Sequence, residues 1–197
     1  MTQINEQRGG PLIVVSGPSG VGKTTVVDEL LKRKSIRLRR AITATTRAPR
    51  TGETPEISYH YWSRDEFERA VLEGRMLESA VVFGSDNYGT PRSEVDPHRE
   101  NGTGVILVID VQGAERVRSL CPDAVSVFIR PPTFEELEAR LRGRGDLSED
   151  RIQRRLATAR EEMARAGEFD YIIINDDLDR AVGELERIIR SRSYSGG

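Results

Sequence analysis

Four short runs of apolar residues lie far apart along the chain, at Leu12–Ser16, Val105–Asp110, Ala124–Ile129 and Tyr171–Asn175. None of them shows the strict alternation of polar and apolar residues that is typical of a strand with one exposed face. Strands that are apolar throughout are typical of parallel sheets, because helices cover both faces of such sheets. The pattern therefore predicts an α/β protein with a parallel sheet.

Amphipathic helical patterns occupy most of the intervals between these runs. Because strands alternate with helices, the chain is expected to form βαβ units with right-handed crossovers. Ligands of such sheets bind beyond the carboxyl ends of the strands, so the candidate chemistry should lie where each strand ends. The predicted helices are Lys23–Arg33, Ala114–Leu120, Thr133–Arg142, Ser148–Arg165 and Leu178–Arg190.

The stretch from about Thr43 to Arg92 departs from this pattern. It predicts a small antiparallel element inserted into the parallel core, with a capped helix between its strands. The supporting segments are the alternating Ser58–Trp62, the strand-like Met76–Phe83 followed by the turn residues 84–87, and a helix with cap residues Ser63 and Glu66 and terminal Gly74.

The composition sets limits on this architecture. With 197 residues, the chain can bury one sizeable core but not two large domains. Apolar residues make up 37% and charged residues 31%, a balance too polar for a membrane span. Residues 1–10 lack the basic start and apolar stretch of a secretory signal, so we expect a cytoplasmic protein. The two ends, residues 1–10 and 191–197, are expected to be flexible tails.

Charge and cysteine content exclude several kinds of site. The formal net charge is −2, so no global positive field attracts nucleic acid without specificity. Cys121 is the only cysteine, which excludes an internal disulfide and a zinc site built from several cysteines. We therefore expect small-molecule partners, no nucleic-acid or membrane partner, and a monomer or small homo-oligomer.

One segment carries a specific phosphate-binding pattern. Residues 17–24, which we call the phosphate loop, match G-x-x-x-x-G-K-[ST] between an apolar strand and an amphipathic helix. The glycines let backbone N–H groups point at phosphate oxygens, Lys23 adds a charge, and Thr24 offers a hydroxyl to Mg²⁺. The alternative is a glycine-rich turn with a chance lysine. The predicted triphosphate-binding residues are Gly17, Pro18, Ser19, Gly20, Val21, Gly22, Lys23, Thr24 and Thr25.

A second segment indicates the acceptor of the phosphoryl group. Residues 45–53 read Thr-Thr-Arg-Ala-Pro-Arg-Thr-Gly-Glu. With the phosphate loop they resemble the guanylate kinase family, whose T-T-R-x-P-R-x-G-E stretch they match without departure. The resemblance extends from about Pro11 to Arg190. It implies transfer of the γ-phosphoryl group of ATP to GMP with Mg²⁺ as cofactor, a step in GMP recycling and in the supply of GTP and dGTP.

The resemblance also implies a fold and a domain organisation. The expected fold class is α/β, with a three-layer P-loop kinase core around the parallel sheet. A small GMP-binding α+β element at residues 43–92 is inserted into this core, which comprises residues 11–42 and 93–190. A helical lid is expected at about residues 140–155.

The chemistry of the matched residues supports GMP as the acceptor. A monophosphate carries close to two negative charges, and by resemblance Arg47, Arg50 and Tyr59 bind it. Guanine presents two adjacent donors that a carboxylate accepts at once, and Glu78 occupies the family's position for that role. The alternatives are solvated arginines, a strand-surface carboxylate, and aromatic packing of Tyr59 and Tyr88. The implied GMP ligands are Thr43, Arg47, Arg50, Glu53, Tyr59, Glu78, Tyr88, Thr90 and Asp110.

Two positions depart from the family pattern. By resemblance, residues 84–89 are expected to form the family's hairpin turn with one residue more than is usual. Val108 stands where the family often has an acid, so Asp110 is the remaining carboxylate after that strand. Asp110 can orient Mg²⁺, water or Arg47, or it can be a solvated residue at a strand end.

The segment around residues 140–155 fits the need of phosphoryl transfer for positive charge and for exclusion of water. Gly143 and Gly145 soften the chain between two helices, which is the shape of a closing lid. By resemblance, Arg144 and Arg155 reach the donor phosphates and the transition state, and Arg140 assists them at the ATP. The implied catalytic residues are Lys23, Arg47, Asp110, Arg144 and Arg155.

The end of the last core strand carries a further candidate. Asn175 lies where the family has an asparagine near the adenine of ATP, and its amide can pair with the donor and acceptor edge of that base. A turn or helix-cap role for Asp176 is the alternative. Asn175 therefore joins the predicted ATP-binding residues.

Two other functions stay open from the sequence. Some guanylate-kinase-like domains of scaffold proteins bind peptides and have lost catalysis, although such domains typically lack an intact phosphate loop or the lid arginines. A kinase with the same core could instead act on AMP or on a sugar phosphate. Turnover with different acceptors separates these alternatives.

Overall fold

A five-stranded parallel sheet forms the centre of the protein. The structure, a computed structural model, describes residues 9–50, 52–82, 86–143 and 148–193, apart from the side chains of residues 82 and 193. The strands of the large sheet are β1 (Leu12–Ser16), β2 (Leu38–Arg40), β7 (Gly104–Val108), β8 (Val125–Arg130) and β9 (Tyr171–Ile174). Their order is β2-β7-β1-β8-β9, and every neighbouring pair is parallel. The predicted parallel sheet is therefore confirmed.

Both faces of this sheet are covered by helices, which explains why its central strands β1, β7 and β8 are mainly apolar. Along β1, Ile13 and Val15 face one core cluster, whereas Leu12 and Val14 face the other. All four side chains are fully buried. The helices are α1 (Lys23–Arg33), α3 (Asp96–Glu100), α4 (Val111–Leu120), α5 (Phe134–Arg142), α6 (Glu149–Ala164) and α7 (Leu178–Ser193). Helices α1, α5, α6 and α7 contribute to the first cluster and α4 to the second, giving three layers.

Several element boundaries differ from the sequence predictions: Asp86 and Asn87, predicted as turn residues, belong to a strand, and helix α4 begins at Val111 rather than at Ala114. The strand predicted at Val105–Asp110 ends at Val108, because Asp110 caps helix α4 with its side chain. Strand β2 was missed because it is only three residues long and contains two arginines. Helix α7 extends to Ser193, so residues 191–193 are helical rather than part of a flexible tail. At the other end of the chain, Gly10 was predicted to belong to a flexible tail, but its N–H donates to the Arg99 carbonyl at 2.7 Å.

A second, four-stranded sheet lies between β2 and β7 in the chain. Its strands are β3 (Ala44–Thr45), β4 (His60–Tyr61), β5 (Met76–Val82) and β6 (Asp86–Pro91), in the order β4-β3-β6-β5. The prediction of an antiparallel element is only partly right, because β3 and β4 pair in parallel while β6 is antiparallel to β3 and β5. The long connection from Thr45 to His60 allows β4 to return beside β3 in the same direction.

Helix α2 (Arg64–Leu72) packs on this second sheet as predicted. The Ser63 hydroxyl accepts from the Glu66 N–H at 3.1 Å, and Gly74 follows the helix with a φ of 68°. Phe67 and Ala70 pack with Ala44 and Met76 in a small core of their own. Within the described residues, no helix is both long enough and apolar enough to cross a membrane.

Candidate active site

The phosphate loop begins directly after β1, at the carboxyl edge of the large sheet. Gly17 has a φ of 138°, and a Cβ there would collide with the Ile129 carbonyl, so the position requires glycine. Gly22 has a φ of 98° and precedes the first residue of α1. The first turn of α1 therefore directs its free N–H groups and its positive dipole end into the loop. This is the strand, loop and helix arrangement that the sequence predicts.

Lys23 lies across the mouth of the phosphate loop. Its Nζ donates to the Gly17 carbonyl at 2.5 Å and to the Pro18 carbonyl at 3.1 Å. Thr24 and Thr25 follow on α1, and both are exposed. The lysine thus donates to two neutral oxygens of the loop backbone, and Thr24 lines the adjoining cleft.

Two predicted ATP ligands support the loop from below in this structure. The Asn175 amide donates to the Val21 carbonyl at 2.7 Å, and the Arg140 guanidinium donates to the same carbonyl at 3.3 Å. Arg140 also donates to the Asn175 carbonyl at 2.9 Å. Asn175 is buried, so a polar group at this position needs such a partner. Both residues therefore fix the loop backbone, and their contact with ATP stays a prediction.

The predicted lid is described on both sides of its tip. Arg144 and Gly145 lie outside the described residues. Arg155 lies partly buried on α6, whose residues Ile152 and Leu156 anchor the helix in the core. The predicted catalytic roles of Arg144 and Arg155 are not tested by this arrangement.

A residue absent from the predicted set also faces the phosphate loop. Glu162 is partly buried on α6, and both Lys23 and the Ser19 N–H favour the charged form of its carboxylate. Burial raises the pKa of Glu162 to about 7, because it outweighs the attraction of Lys23. No local pattern marks this glutamate, since its partners lie in distant parts of the chain.

The predicted phosphate ligands of GMP meet above β3, β4 and β6. Arg47 forms a bidentate pair with Glu53, with both N···O distances at 2.6 Å. The Arg47 Nε donates to the Tyr88 hydroxyl at 2.8 Å. Glu53 also accepts from the Tyr61 hydroxyl and from the Arg50 N–H, each at 2.8 Å. We call Arg47, Glu53, Tyr59, Tyr61 and Tyr88 the arginine cluster.

The electrostatics of the arginine cluster favour full ionisation of both partners. The Arg47 hydrogen bonds lower the pKa of Glu53 to about 2. Burial disfavours the charge on Arg47, but the bonds to Glu53 and Tyr88 outweigh it and raise its pKa. The Tyr59 ring lies 4.8 Å from the Arg47 guanidinium carbon and 5.9 Å from the Tyr88 ring. The aromatic packing considered for these tyrosines is thus present, and it surrounds the arginine.

Arg50 and Tyr61 differ from expectation in how they contribute. The Arg50 side chain is exposed, while its backbone N–H holds Glu53. Tyr61 was not predicted, yet its hydroxyl binds the same carboxylate and its pKa is raised to about 12, mainly by burial. The alternating Ser58–Trp62 pattern contained the signal, because Tyr59 and Tyr61 project from the same face of one extended segment.

The predicted base-reading residue, Glu78, is buried, with 6% of its surface exposed. Its Oε1 accepts from the Thr90 hydroxyl at 2.8 Å across the β5–β6 pair. The strand register shifts between Met76 and Glu78, an irregularity of the kind that re-aims side chains. Burial raises the pKa of Glu78 to about 7, and the nearby charge of Asp110 adds to this effect.

Gly113 makes room for Glu78 and was not predicted. A Cβ at Gly113 would lie 2.9 Å from Glu78 Oε2, so a larger residue would push the carboxylate away. The Gly113 N–H donates to Asp110 Oδ1 at 2.8 Å, which makes Asp110 the cap of α4. Asp110 is therefore not a plain solvated strand end, and its role toward Mg²⁺, water or Arg47 stays a prediction.

A single cleft of about 340 Å³ connects the phosphate loop with the arginine cluster. On one side it is lined by Thr24 at the start of α1, and on the other by Thr43, Glu53 and Tyr59. Val108, where an acid is common in the family named above, also lines this cleft. The predicted binding sites for the triphosphate and for the monophosphate therefore border one cleft.

Several known proteins with similar sequences or structures are named guanylate kinase. A family model described as "Guanylate kinase" matches residues 9–192. The chain is 51% identical over 178 residues to a guanylate kinase of Synechococcus sp. (strain CC9902), covering 90% of this chain and 94% of the relative. It is 50% identical over 190 residues to that of Rubrobacter xylanophilus, covering 96% and 98%. The crystal structure of guanylate kinase from Anaplasma phagocytophilum matches with a TM-score of 0.80 at 32% identity, covering 95% and 88%.

Proposed function

The chain belongs to the guanylate kinase family, and we propose that it transfers the γ-phosphoryl group of ATP to GMP, giving ADP and GDP. The observation that carries this proposal is the cleft that connects the phosphate loop with the arginine cluster. A donor site and an acceptor site that open into one space can bring two phosphate groups into line for transfer.

On the donor side, the backbone N–H groups of the phosphate loop and Lys23 bind the β- and γ-phosphates of ATP. Lys23 exchanges the carbonyl oxygens of Gly17 and Pro18 for phosphate oxygens, which are stronger acceptors because they are charged. Asn175 and Arg140 keep the loop in shape from below through the Val21 carbonyl.

The donor set also fits Mg²⁺. Within the stretches that the structure describes, no three acidic, histidine or cysteine side chains converge as a metal cage. Mg²⁺ at nucleotide sites is held mainly by phosphate oxygens and water with one or two protein oxygens, so the exposed Thr24 hydroxyl suits it. The ion, when bound with ATP, neutralises charge that develops on the phosphates.

On the acceptor side, Arg47, Arg50 and Tyr59 bind the phosphate of GMP, and Glu78 reads the base. The carboxylate of Glu78 accepts from guanine N1–H and from the exocyclic amine, while Thr90 and Thr43 contribute hydroxyl groups near the base. Adenine lacks this pair of donors, so AMP would leave a buried carboxylate poorly paired. Glu78 therefore selects GMP in two ways: it binds guanine, and it is left poorly paired when AMP is bound.

In the transfer step, a phosphate oxygen of GMP forms a bond to the γ-phosphorus while the bond from that phosphorus to the bridging β-oxygen breaks. The electron pair of the broken bond stays on ADP. Lys23 and Arg47 stabilise the negative charge spread over the transferring group. The lid arginines Arg144 and Arg155 add further positive charge when the lid closes. Closure also excludes water, which would otherwise compete as the acceptor.

The proposal extends to organisation and setting. Residues 43–92 form the GMP-binding insertion, and residues 140–155 form the lid of a core made of residues 11–42 and 93–190. The substrates are the small molecules ATP and GMP or dGMP, and we place the enzyme in the cytoplasm as a monomer or small homo-oligomer.

A coupled assay of ADP release tests the proposal. With MgATP present, we expect rapid ADP release with GMP, somewhat slower release with dGMP, and little release with AMP or UMP. ADP release that does not depend on GMP would contradict the kinase function. Equal turnover with AMP would contradict the role of Glu78 and favour a kinase with a different acceptor.

A further inference from the structure

Two tyrosine hydroxyls of the arginine cluster hold its ion pair at separate points of the second sheet. On one side, the Tyr88 hydroxyl on β6 accepts from the Arg47 Nε at 2.8 Å. On the other side, the Tyr61 hydroxyl on β4 donates to Glu53 Oε2 at 2.8 Å. The arginine and its carboxylate partner are therefore tied to different strands. The predicted GMP ligands include Tyr88 but not Tyr61.

Tyr61 differs from the other donors to Glu53 in where it lies. Arg47 and Arg50 also donate to Glu53, but both lie with it in the connection from β3 to β4. Tyr61 is fixed by its own strand, in which it pairs with Thr45 of β3. Among the described residues, Tyr61 is thus the donor that anchors the Glu53 carboxylate to a strand.

The orientation of Arg47 depends on that of Glu53. The Arg47 side chain is 7% exposed, and both of its terminal nitrogens donate to Glu53 at 2.6 Å. A guanidinium group is planar, so a bidentate pair fixes the directions in which its N–H groups point. A displaced carboxylate would therefore turn the arginine, and small errors in position weaken the contact with a bound phosphate.

The hydroxyl of Tyr61, rather than its ring, makes the contact with Glu53. The Tyr61 ring lies 6.0 Å from the Tyr59 ring and 5.8 Å from the Arg47 guanidinium carbon, and a phenylalanine would keep this packing. Removal of the hydroxyl would take away one donor to Glu53 Oε2. Because hydrogen bonds to charged groups are stronger than those between neutral groups, this loss would loosen the carboxylate.

We propose that Tyr61 is a positioning residue for the acceptor phosphate: its hydroxyl anchors Glu53 to the second sheet and thereby sets the orientation in which Arg47 meets GMP. Tyr61 acts through Glu53 and not by contact with the substrate. The inference rests on the proposed function in one respect, namely that the arginine cluster binds the phosphate of GMP. In a purely structural role, the hydroxyl would stabilise the sheet without a selective effect on phosphate binding.

The test compares Tyr61→Phe with the wild type and with Tyr171→Phe, a matched loss of a hydroxyl on β9 of the large sheet. Steady-state kinetics with MgATP measure the KM for each substrate. We expect Tyr61→Phe to raise the KM for GMP by roughly 3- to 10-fold, because one hydrogen bond to a charged group is lost. The KM for ATP should stay within about twofold. Tyr171→Phe should match the wild type, and an unchanged KM for GMP in Tyr61→Phe overturns the inference.

Guanosine, which has the base and the ribose of GMP but no phosphate, separates positioning from a structural role. Its inhibition constant as a competitor of GMP should agree within about twofold between Tyr61→Phe and the wild type, since the arginine cluster acts on the phosphate. An equal weakening of GMP and guanosine would mean that the whole acceptor site is disturbed, and it would overturn the inference.

A double-mutant cycle tests the route through Glu53. In a Glu53→Ala background, which lacks the carboxylate, Tyr61→Phe should change the KM for GMP by less than about twofold. A full effect in that background would mean that the hydroxyl acts without Glu53, and it would overturn the positioning role. The guanosine comparison does not depend on the folding of Glu53→Ala. Wild-type protein that binds neither GMP nor guanosine contradicts the proposed function instead.

Discussion

The donor and acceptor halves of the cleft hold their principal positive charges in different ways. Lys23 in the phosphate loop is held by neutral carbonyl oxygens, whereas Arg47 in the arginine cluster is held by the ionised carboxylate of Glu53. Phosphate oxygens displace neutral acceptors readily because charged hydrogen bonds are about twice as strong. At Arg47 the incoming phosphate meets a bidentate ion pair. In the donor half, Lys23 can therefore exchange carbonyl oxygens for phosphate oxygens. In the acceptor half, Glu53 already fixes the plane of the Arg47 guanidinium group.

The largest effect should come from removing the exchangeable cation. Lys23→Ala should reduce turnover by on the order of 10³-fold, because charge that develops on the transferring phosphoryl group loses its nearest fixed partner. The dissociation constant of GMP should stay within about twofold of the wild type, since Lys23 lies on the donor side. Steady-state kinetics and GMP calorimetry check both values. A large loss of GMP affinity would show that the two halves are not separate.

A smaller loss of catalytic efficiency is expected when Arg47 is replaced by lysine, which keeps the positive charge but lacks the planar guanidinium group. Arg47→Lys should raise the KM for GMP by roughly 10- to 100-fold, because a lysine cannot maintain the bidentate pair with Glu53 and also bind phosphate. The KM for ATP should change little. The matched control is Arg64→Lys, an arginine outside the arginine cluster. An unchanged KM for GMP would remove Arg47 from the acceptor site.

The base-reading position should have a smaller effect than Lys23, and one comparable with that of Arg47. Glu78→Gln should reduce the preference for GMP over AMP by roughly 1–3 kcal/mol, since an amide places a donor opposite guanine N1–H or the exocyclic amine. The ratio of kcat/KM for the two acceptors measures this preference. If the ratio stayed at the wild-type value, guanine would have to be read elsewhere.

The smallest predicted effect is a pH dependence that belongs to the acceptor half. The pKa of Glu78 is raised to about 7 by burial, and guanine binds only its ionised form. As the pH falls from 8 to 6, protonation of Glu78 should raise the KM for GMP by up to about tenfold. Glu78→Gln should lack this component, so the difference between the two profiles removes the titration of GMP itself. Parallel profiles would contradict the assignment.

The same contrast explains what the sequence could predict. The phosphate loop is local: the strand, the glycines, Lys23 and α1 follow one another, so pattern and spacing were sufficient. The arginine cluster is assembled from the loop after β3, from β4 and from β6, and those members that were predicted depended on resemblance to a family. Its internal pairing, in which Arg47 and Tyr61 both donate to the Glu53 carboxylate, required the structure.

Contacts between distant segments account for the remaining misses. Gly113 is explained only by the carboxylate of Glu78 beside it, and Glu162 only by Ser19 at the other end of the chain. The parallel pairing of β3 and β4 was missed because each strand has two residues, too few to show a pattern. Local pattern therefore predicted the donor site and the sheet, and it could not predict how separate segments meet.

The central claim is that one cleft carries a phosphoryl group from the donor half to the acceptor half. The most direct test uses ATP labelled with radioactive phosphorus at the γ-position. The labelled ATP is incubated with Mg²⁺, GMP and the enzyme, and the products are separated by ion-exchange chromatography. The account predicts that the label appears in the β-phosphate of GDP at the rate at which ADP forms. Label that appears in inorganic phosphate instead, with no labelled GDP, would contradict it.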